Sequence, residues 1–321
     1  IGCEAVLGCM DPIACNLNED ANFEDGSCEY LCYDLGEYSL YFEGEEVNSG
    51  DYVAFGDVMD IGSESFTVEI SFSSDDLKFG NLLRKGGHGG SSPSNTGYGI
   101  RMGHNEKIEA FVIDDNGLEL LIESSVLFER GIWYQLAMVL DRDSQRFKLF
   151  VNGNEDGSLD ASSIGNIDVD ASLSFGALNW TNDGDYGNFW NGSIDNVRIT
   201  SEALYSENYT TNYSLNPGQN TLGLYNFNQG EEGSVSNKLI DYSGNRNHGS
   251  IYGAQWLEQI VDCMDEFACN YNPLAAIDSG MCSYPVYQHI NGSTIEVDIY
   301  PDSSSSEAYV DLVLGNAGSC S

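Results

Sequence analysis

Phe66-Thr67-Val68-Glu69-Ile70-Ser71-Phe72 alternates apolar and polar residues without a break. A strand turns successive side chains to opposite faces, so a period of two over seven residues is the mark of a β-strand with one apolar face. Phe147-Lys148-Leu149-Phe150-Val151 is a second such run and leads into Asn152-Gly153, the dipeptide that most strongly signals a tight β-hairpin. Outward from these two runs, residues 33–258 are a series of short stretches rich in Val, Ile, Phe and Tyr, broken by Gly, Asn and Asp. No long amphipathic helical pattern interrupts them. The reading is all-β, an antiparallel sandwich.

The 321 residues are 41% hydrophobic and 12% aromatic, enough to build a core. Asp and Glu number 51 against 12 Lys and Arg, giving a formal net charge of −39 spread along the chain. Such self-repulsion calls for salt or specifically bound cations, calcium foremost. It also excludes nucleic acid and anionic membranes as partners, because no basic stripe is present to meet phosphate. The nine cysteines lie only near the ends, with none between Cys32 and Cys263. Cysteines clustered in short Gly- and Asp-rich segments read as local disulfide staples in an oxidising, extracellular compartment. No apolar run is long enough to span a bilayer, and a chain opening on Ile1 without a leader is expected to be a mature or excised piece whose export signal lies elsewhere.

One internal repeat frames the chain: CMDPIACNLNEDANFEDGSC from Cys9 to Cys28 and CMDEFACNYNPLAAIDSGMC from Cys263 to Cys282. Units this short bury no core and need a covalent or ionic clasp. Pairing first with last cysteine, Cys9–Cys28 and Cys263–Cys282, closes a loop worth about 3 kcal/mol in the chain-entropy account. Cys15 then has Cys3 or Cys32 as partner, Cys269 has Cys320, and the odd total leaves one thiol over. Asp11, Asn16, Asn18, Asp20 and Asp25 in the first copy, with Asp265, Asn270, Asn272 and Asp278 in the second, are closely spaced hard oxygen donors of the kind calcium takes. Their competing role is to cap turns. The units resemble the GC-T-D-P-x-A-x-N-Y-N-x-x-A-x-x-D-D-G-S-C repeats of large secreted surface proteins of Bacteroidota, and the second copy departs from that pattern at Ser279 and Met281.

In the middle region the runs SLYFEGEEVNSGDYVAF, SFTVEISFS, GIWYQLAMVLD, FKLFVNGNEDGS, FWNGSIDNVRITSEAL and DYSGNRNHGSIYGAQW follow one another as in laminin G-like, concanavalin A-like jelly rolls. That resemblance implies two packed antiparallel sheets of six or seven strands each, with faces and rim loops that bind glycans or proteins, frequently with calcium. It also implies a calcium site where the first and last strands meet, which maps to Glu43 and Asp195, with Asp51 a third candidate. Trp133, Trp190 and Trp256 read as packing residues. Trp180 lies instead in a polar loop with Asp183, Asp185 and Tyr186, a combination suited to a sugar or a cation.

Glycoside hydrolases share this fold, but their chemistry needs two facing carboxylates. No Glu-x-Asp-x-Glu run supplies them, and His88, His104, His248 and His289 are scattered without a catalytic or metal spacing. The expected organisation is a cysteine-rich unit at 1–32, the sandwich at 33–258, a second unit at 259–285, and a short β segment at 286–321 that starts a further domain or adds to a sheet edge. The expected function is non-catalytic adhesion by a module of a large surface protein, stabilised by calcium and binding a cell-surface glycan or protein. The rival is a structural subunit that binds copies of itself in a filament.

Overall fold

The computed structural model describes residues 4–44, 50–86, 96–179, 185–212, 214–231, 237–263, 265–272, 275, 277, 278, 280–284, 287, 288, 294 and 295. They fall in two compact units, Ile1–Glu258 and Gln259–Ser321. In the first, two strands, β1 (Leu7–Gly8) and β2 (Phe23–Glu24), pair in parallel within the N-terminal module. The sandwich follows as two eight-stranded sheets.

The first sheet runs in the order β12 (Asn154–Asp160), β11 (Arg146–Val151), β10 (Trp133–Asp141), β5 (Phe66–Ser74), β16 (Gly192–Thr200), β3 (Tyr38–Phe42) and β20 (Gln255–Glu258), with β17 (Thr221–Tyr225) also on β16. The second runs β18 (Lys238–Leu239), β19 (Gly249–Tyr252), β4 (Tyr52–Gly56), β13 (Leu173–Phe175), β6 (Gly80–Gly86), β7 (Gly97–Met102), β8 (Ile108–Ile113) and β9 (Glu119–Glu123). Every pairing in both sheets is antiparallel. The sheets are thus wider than the six or seven strands expected, because two- to five-residue edge strands such as β18 and β20 are too short to show a period. The chain enters the first sheet at Tyr38 and leaves it at Glu258, and these two residues face each other.

The alternation in β5 sends Phe66, Val68, Ile70 and Phe72 into a core shared with Leu136, Met138, Ile194 and Ile199 of the same sheet and with Val53, Tyr98, Ile100, Val112 and Phe175 of the other. Trp190 is fully buried there, its ring 5.6 Å from Phe72, while Trp133 and Trp256 are half-buried. The expected hairpin joins β11 to β12, with Asn152 at φ 48° and Gly153 at φ 77°. A side chain at Gly153 would also strike the carbonyl of Tyr209, so both the turn and its surroundings demand glycine.

Alternation alone leaves Thr67, Glu69 and Ser71 facing solvent, yet all three are buried. The segment after β16 crosses this outer face as a strap. The Thr67 hydroxyl donates to the Glu202 carbonyl and accepts from the Leu204 N–H, and Gln135 donates to the Asn212 carbonyl. Tyr205 and Tyr209, stacked 3.6 Å apart, pack with Ala137, Val139 and Phe150. Beneath them Glu69, 1% exposed, takes the Arg198 Nε at 2.5 Å and the Tyr205 hydroxyl at 2.6 Å.

In the N-terminal module Cys9 pairs with Cys28 and Cys15 with Cys32; Cys3 lies outside the described residues. In the second unit Cys263 pairs with Cys282, and Cys269 is also disulfide-bonded, although its expected partner Cys320 lies outside the described residues. There β21 (Val261–Asp262) and β22 (Ile277–Asp278) repeat the parallel pairing of the first module, and β23 (Tyr287–Gln288) meets β24 (Thr294–Ile295). Of the expected β segment 286–321, all but residues 287, 288, 294 and 295 lie outside the described residues.

Removing one partner of a buried ion pair strands the other charge. Arg198→Met is therefore expected to cost about 3–5 kcal/mol in urea unfolding, and the double variant Arg198→Met/Glu69→Leu to recover more than half of that loss. Equal losses in the two variants would show that the stranded carboxylate is not the cause.

Candidate functional site

Asp11, Asn16, Asn18 and Asp25 of the first cysteine module, and Asp265 and Asn270 of the second, are engaged in turns, while Asp20 is exposed. Asp11 Oδ1 accepts from the Ile13 N–H at 3.0 Å, and Oδ2 accepts from the Tyr30 hydroxyl at 2.7 Å and lies 2.8 Å from His248 Nε2. Burial alone would raise its pKa; these hydrogen bonds outweigh that and hold the carboxyl below the usual range. Asn16 bridges the Glu29 N–H and the Ser27 carbonyl, Asn18 accepts from the Asp20 N–H, and Asp25 accepts from the Ser27 N–H. The second module repeats this pattern. Asp265 accepts from the Phe267 N–H and the Tyr284 hydroxyl, Asn270 bridges the Ser283 N–H and the Met281 carbonyl, and Asn272 donates to Asp262. Asp278 is paired through its backbone in β22; its side chain is outside the described residues. Cys9, Glu24 and Cys28 also converge, but both sulfurs are in the disulfide and Glu24 holds the Met10 and Gly26 N–H groups and Arg246.

Glu43 and Asp195, expected together, are at different places. Gly192 faces Phe42 and Ile194 faces Leu40, so Glu43 lies beyond one end of this ladder and Asp195 beyond the other. Asp195 sits where β16 bulges and its neighbour changes from β3 to β17. It is fully buried, opposite Ser71 of β5, and its carboxyl is pushed well up, first by burial and then by the nearby Glu37 carboxylate. The Ser71 hydroxyl and the Asn226 side-chain oxygen, the latter one residue past the Tyr225–Val197 pair, are buried without a hydrogen-bond partner. The buried Asp195 carboxylate, the Ser71 hydroxyl opposite it, the Asn226 oxygen and the Glu37 carboxylate are each oxygens of the hard kind that calcium takes.

At the other end of the β16 ladder, the rim holds a cleft of about 800 Å³. Its walls come from the end of β3, the β5–β6 and β7–β8 turns and the segment entering β16. The Ser74 hydroxyl accepts the Leu77 N–H, and Asp76 accepts the Lys78 N–H, which fixes the β5–β6 turn. That turn lays Phe79 flat against His104 of the next turn, 4.2 Å away at 9°. Asn188, at φ 52°, holds the Asn81 N–H with its carbonyl and brings Phe189 to the cleft. Polar groups ring these aromatics: Glu43, Asp76 (2.7 Å from Lys78), Asn188 and Asn191. Beside the cleft Asp51 caps the Glu43 N–H at 2.8 Å, and burial followed by Glu43 pushes its carboxyl up. Tyr52 is sandwiched between Tyr186 at 3.8 Å and Tyr252 at 4.6 Å.

Of the expected sugar loop, Tyr186 is in this stack, Asp185 is exposed, and Trp180 and Asp183 are outside the described residues. Phe79, His104 and Phe189 were not legible as site residues, because each is an isolated ring in a turn or before a strand and only folding brings them together. The available signal was Phe79 after Asp75-Asp76, an aromatic in an acidic turn.

Residues 48–208, half of the chain, match the profile of Laminin_G_3, described as the concanavalin A-like lectin/glucanases superfamily. No curated protein matches the chain by sequence. Among solved structures, a Bacteroides ovatus protein provisionally described as carbohydrate-binding superposes with a TM-score of 0.53 at 17% identity, over 82% of this chain and 67% of that one. A heptameric SAP-like pentraxin from Limulus polyphemus gives 0.43 at 16%, over 53% and 79%. The CBM40 of a Ruminococcus gnavus IT-sialidase, bound to α2,3-sialyllactose, gives 0.37 at 17%, over 51% and 92%. At these identities the likeness is one of fold. With the two-sheet sandwich and the profile in agreement, the chain belongs to the Laminin_G_3 family of the concanavalin A-like lectin/glucanase superfamily.

Proposed function

We propose that this chain is a non-catalytic, extracellular glycan-binding module of a larger adhesive protein, and that the rim cleft receives the glycan. The observation that carries this reading is the Phe79–His104 stack in the cleft wall, ringed by carboxylate and amide groups. Flat ring faces take the C–H faces of a sugar while the surrounding polar groups take its hydroxyls. Glu43, Asp76 and Glu106 against Lys78 disfavour an anionic sugar, so the favoured ligands are neutral. The three disulfides between described cysteines support an oxidising compartment, and no helix among the described residues is long and apolar enough to cross a membrane.

Calcium in this reading belongs at the β16 bulge, held by Asp195, Glu37, Asn226 and Ser71. Bound there, it would neutralise a buried carboxylate and satisfy the two orphan oxygens.

Two outcomes are expected. On an array of neutral and sialylated oligosaccharides the chain should bind neutral ones. Phe79→Ala should weaken that binding roughly tenfold or more, and Tyr252→Ala in the neighbouring stack should leave it unchanged. Retention of binding by Phe79→Ala would move the site elsewhere, and silence across the array would end the lectin reading. Calcium at a hundred times its Kd should raise unfolding free energy by about 2.7 kcal/mol, an increment that Asp195→Asn should abolish. The same increment in Asp195→Asn would place the ion at another site.

A further inference from the structure

The two cysteine modules are the same structure seen in two situations. Their numbering is offset by 254 positions, Asp11 to Asp265, and their internal bonds coincide at that offset. Asn18 and Asn272 each donate their N–H to the first cysteine's carbonyl, and Cys15 and Cys269 each donate theirs to the residue after the last cysteine. Tyr30 and Tyr284 each donate to the module's Asp at 2.7 Å. Their interiors are equally closed: Cys9 is 1% and Cys263 0% exposed, Ala14 and Ala268 both 9%.

One face differs. In the first module it consists of Asp11, Ile13 and Tyr30, and the sandwich sits on it. Ile240 packs against Ala14 and Tyr30, the His248 imidazole meets Asp11 and stands edge-on to Tyr30 at 5.1 Å, and Arg246 reaches Glu24 at 3.0 Å. Tyr30 is 4% exposed there. In the second module the counterparts are Asp265, Phe267 and Tyr284, and Phe267 is 77% and Tyr284 39% exposed. Asp278 stands where Glu24 does. The interior is built identically, while the face keeps its carboxylate and its tyrosine and replaces Ile13 with a larger apolar side chain. An apolar group flanked by a hydrogen-bonded carboxylate, on a module too small to need it for its own core, has the composition of an interface centre.

We infer that the Asp265–Phe267–Tyr284 face is a docking surface for a further β-sandwich, which seats on it a turn of the Ile240–His248 kind: an aliphatic side chain beside an imidazole or guanidinium. Charge complementarity supports this occupant: Asp265 and Asp278 stand where Asp11 and Glu24 meet His248 and Arg246, in a chain with 12 Lys and Arg against 51 Asp and Glu. The function of the module is then to orient successive sandwiches, gripping each by the same corner.

The test uses the full chain. In each copy the 240–248 turn is covered by its own first module, so Asp11→Ala/Tyr30→Ala uncovers it. The opened variant is expected to assemble head to tail in sedimentation velocity and to form a one-to-one complex with the wild type. Adding Asp265→Ala/Phe267→Ser to the opened variant should weaken its self-association at least tenfold. Association that ignores those two substitutions, or no association by an opened variant with intact β circular dichroism, overturns the inference. So does a wild type that self-associates through Phe267 with its turns covered, because a different surface would then be the occupant. If the opened variant does not fold, a head-to-tail cyclised Leu239–Gly249 peptide is titrated into the wild type. Saturable NMR shifts at Phe267 and Tyr284, lost when His248 in the peptide is Ala, are expected; no shift at Phe267 with millimolar peptide overturns it.

Discussion

The pairing of β5 with β16 is the constraint on which the rest of the molecule hangs. Both strands are covered on both faces, one by the sandwich core and the other by the strap after β16. A strand in that position must satisfy every outward polar group without water. Glu69 does so through Arg198 and Tyr205, and Thr67 through the strap backbone. Where the ladder slips, between Asp195 and Arg198, satisfaction fails and leaves the buried Asp195 opposite the orphan Ser71 hydroxyl. Where the ladder begins, at Gly192, the segment that feeds it forms one wall of the rim cleft. Ion pair, donor cluster and cleft are three positions along one strand.

Much of this architecture was legible because it rests on short-range rules. The alternation at Phe66–Phe72, the Asn152-Gly153 turn and the first-to-last cysteine pairings each follow from local geometry, and each is present. The burial of Thr67 and Glu69 was not legible, because the covering residues lie more than 130 positions away and carry no period. The rim cleft was hidden for the same reason. Its Phe79 and Phe189 come from distant turns, and an isolated aromatic in a turn looks the same whether it packs, binds or does neither. Glu43 and Asp195 fail to meet because the regular register of β16 on β3, Gly192 against Phe42 and Ile194 against Leu40, sets them beyond opposite ends of that ladder.

The scarcity of cations shapes the interior as well as the surface. Lys85 is 1% exposed, held 2.9 Å from Asp57, 2.7 Å from Asp60 and against the Ala171 carbonyl. Arg84 is buried with its guanidinium 4.3 Å over Phe111. With these and Arg198 placed inside, the outer surface is more uniformly anionic than the bare count suggests.

The antiparallel pair β3 and β20 gives the sandwich a defined mechanical polarity. Because Tyr38 and Glu258 lie opposite each other at the end where the chain enters and leaves, tension along the chain opens this pair like a zipper, one rung at a time, instead of shearing all its rungs together. A zipper yields at low force. The contact of Asp11 and Tyr30 with His248 lies just ahead of β3 in the chain, so it takes up load before the first rung does. Under tension along the chain, that small clamp would part before the first rung of β3 and β20.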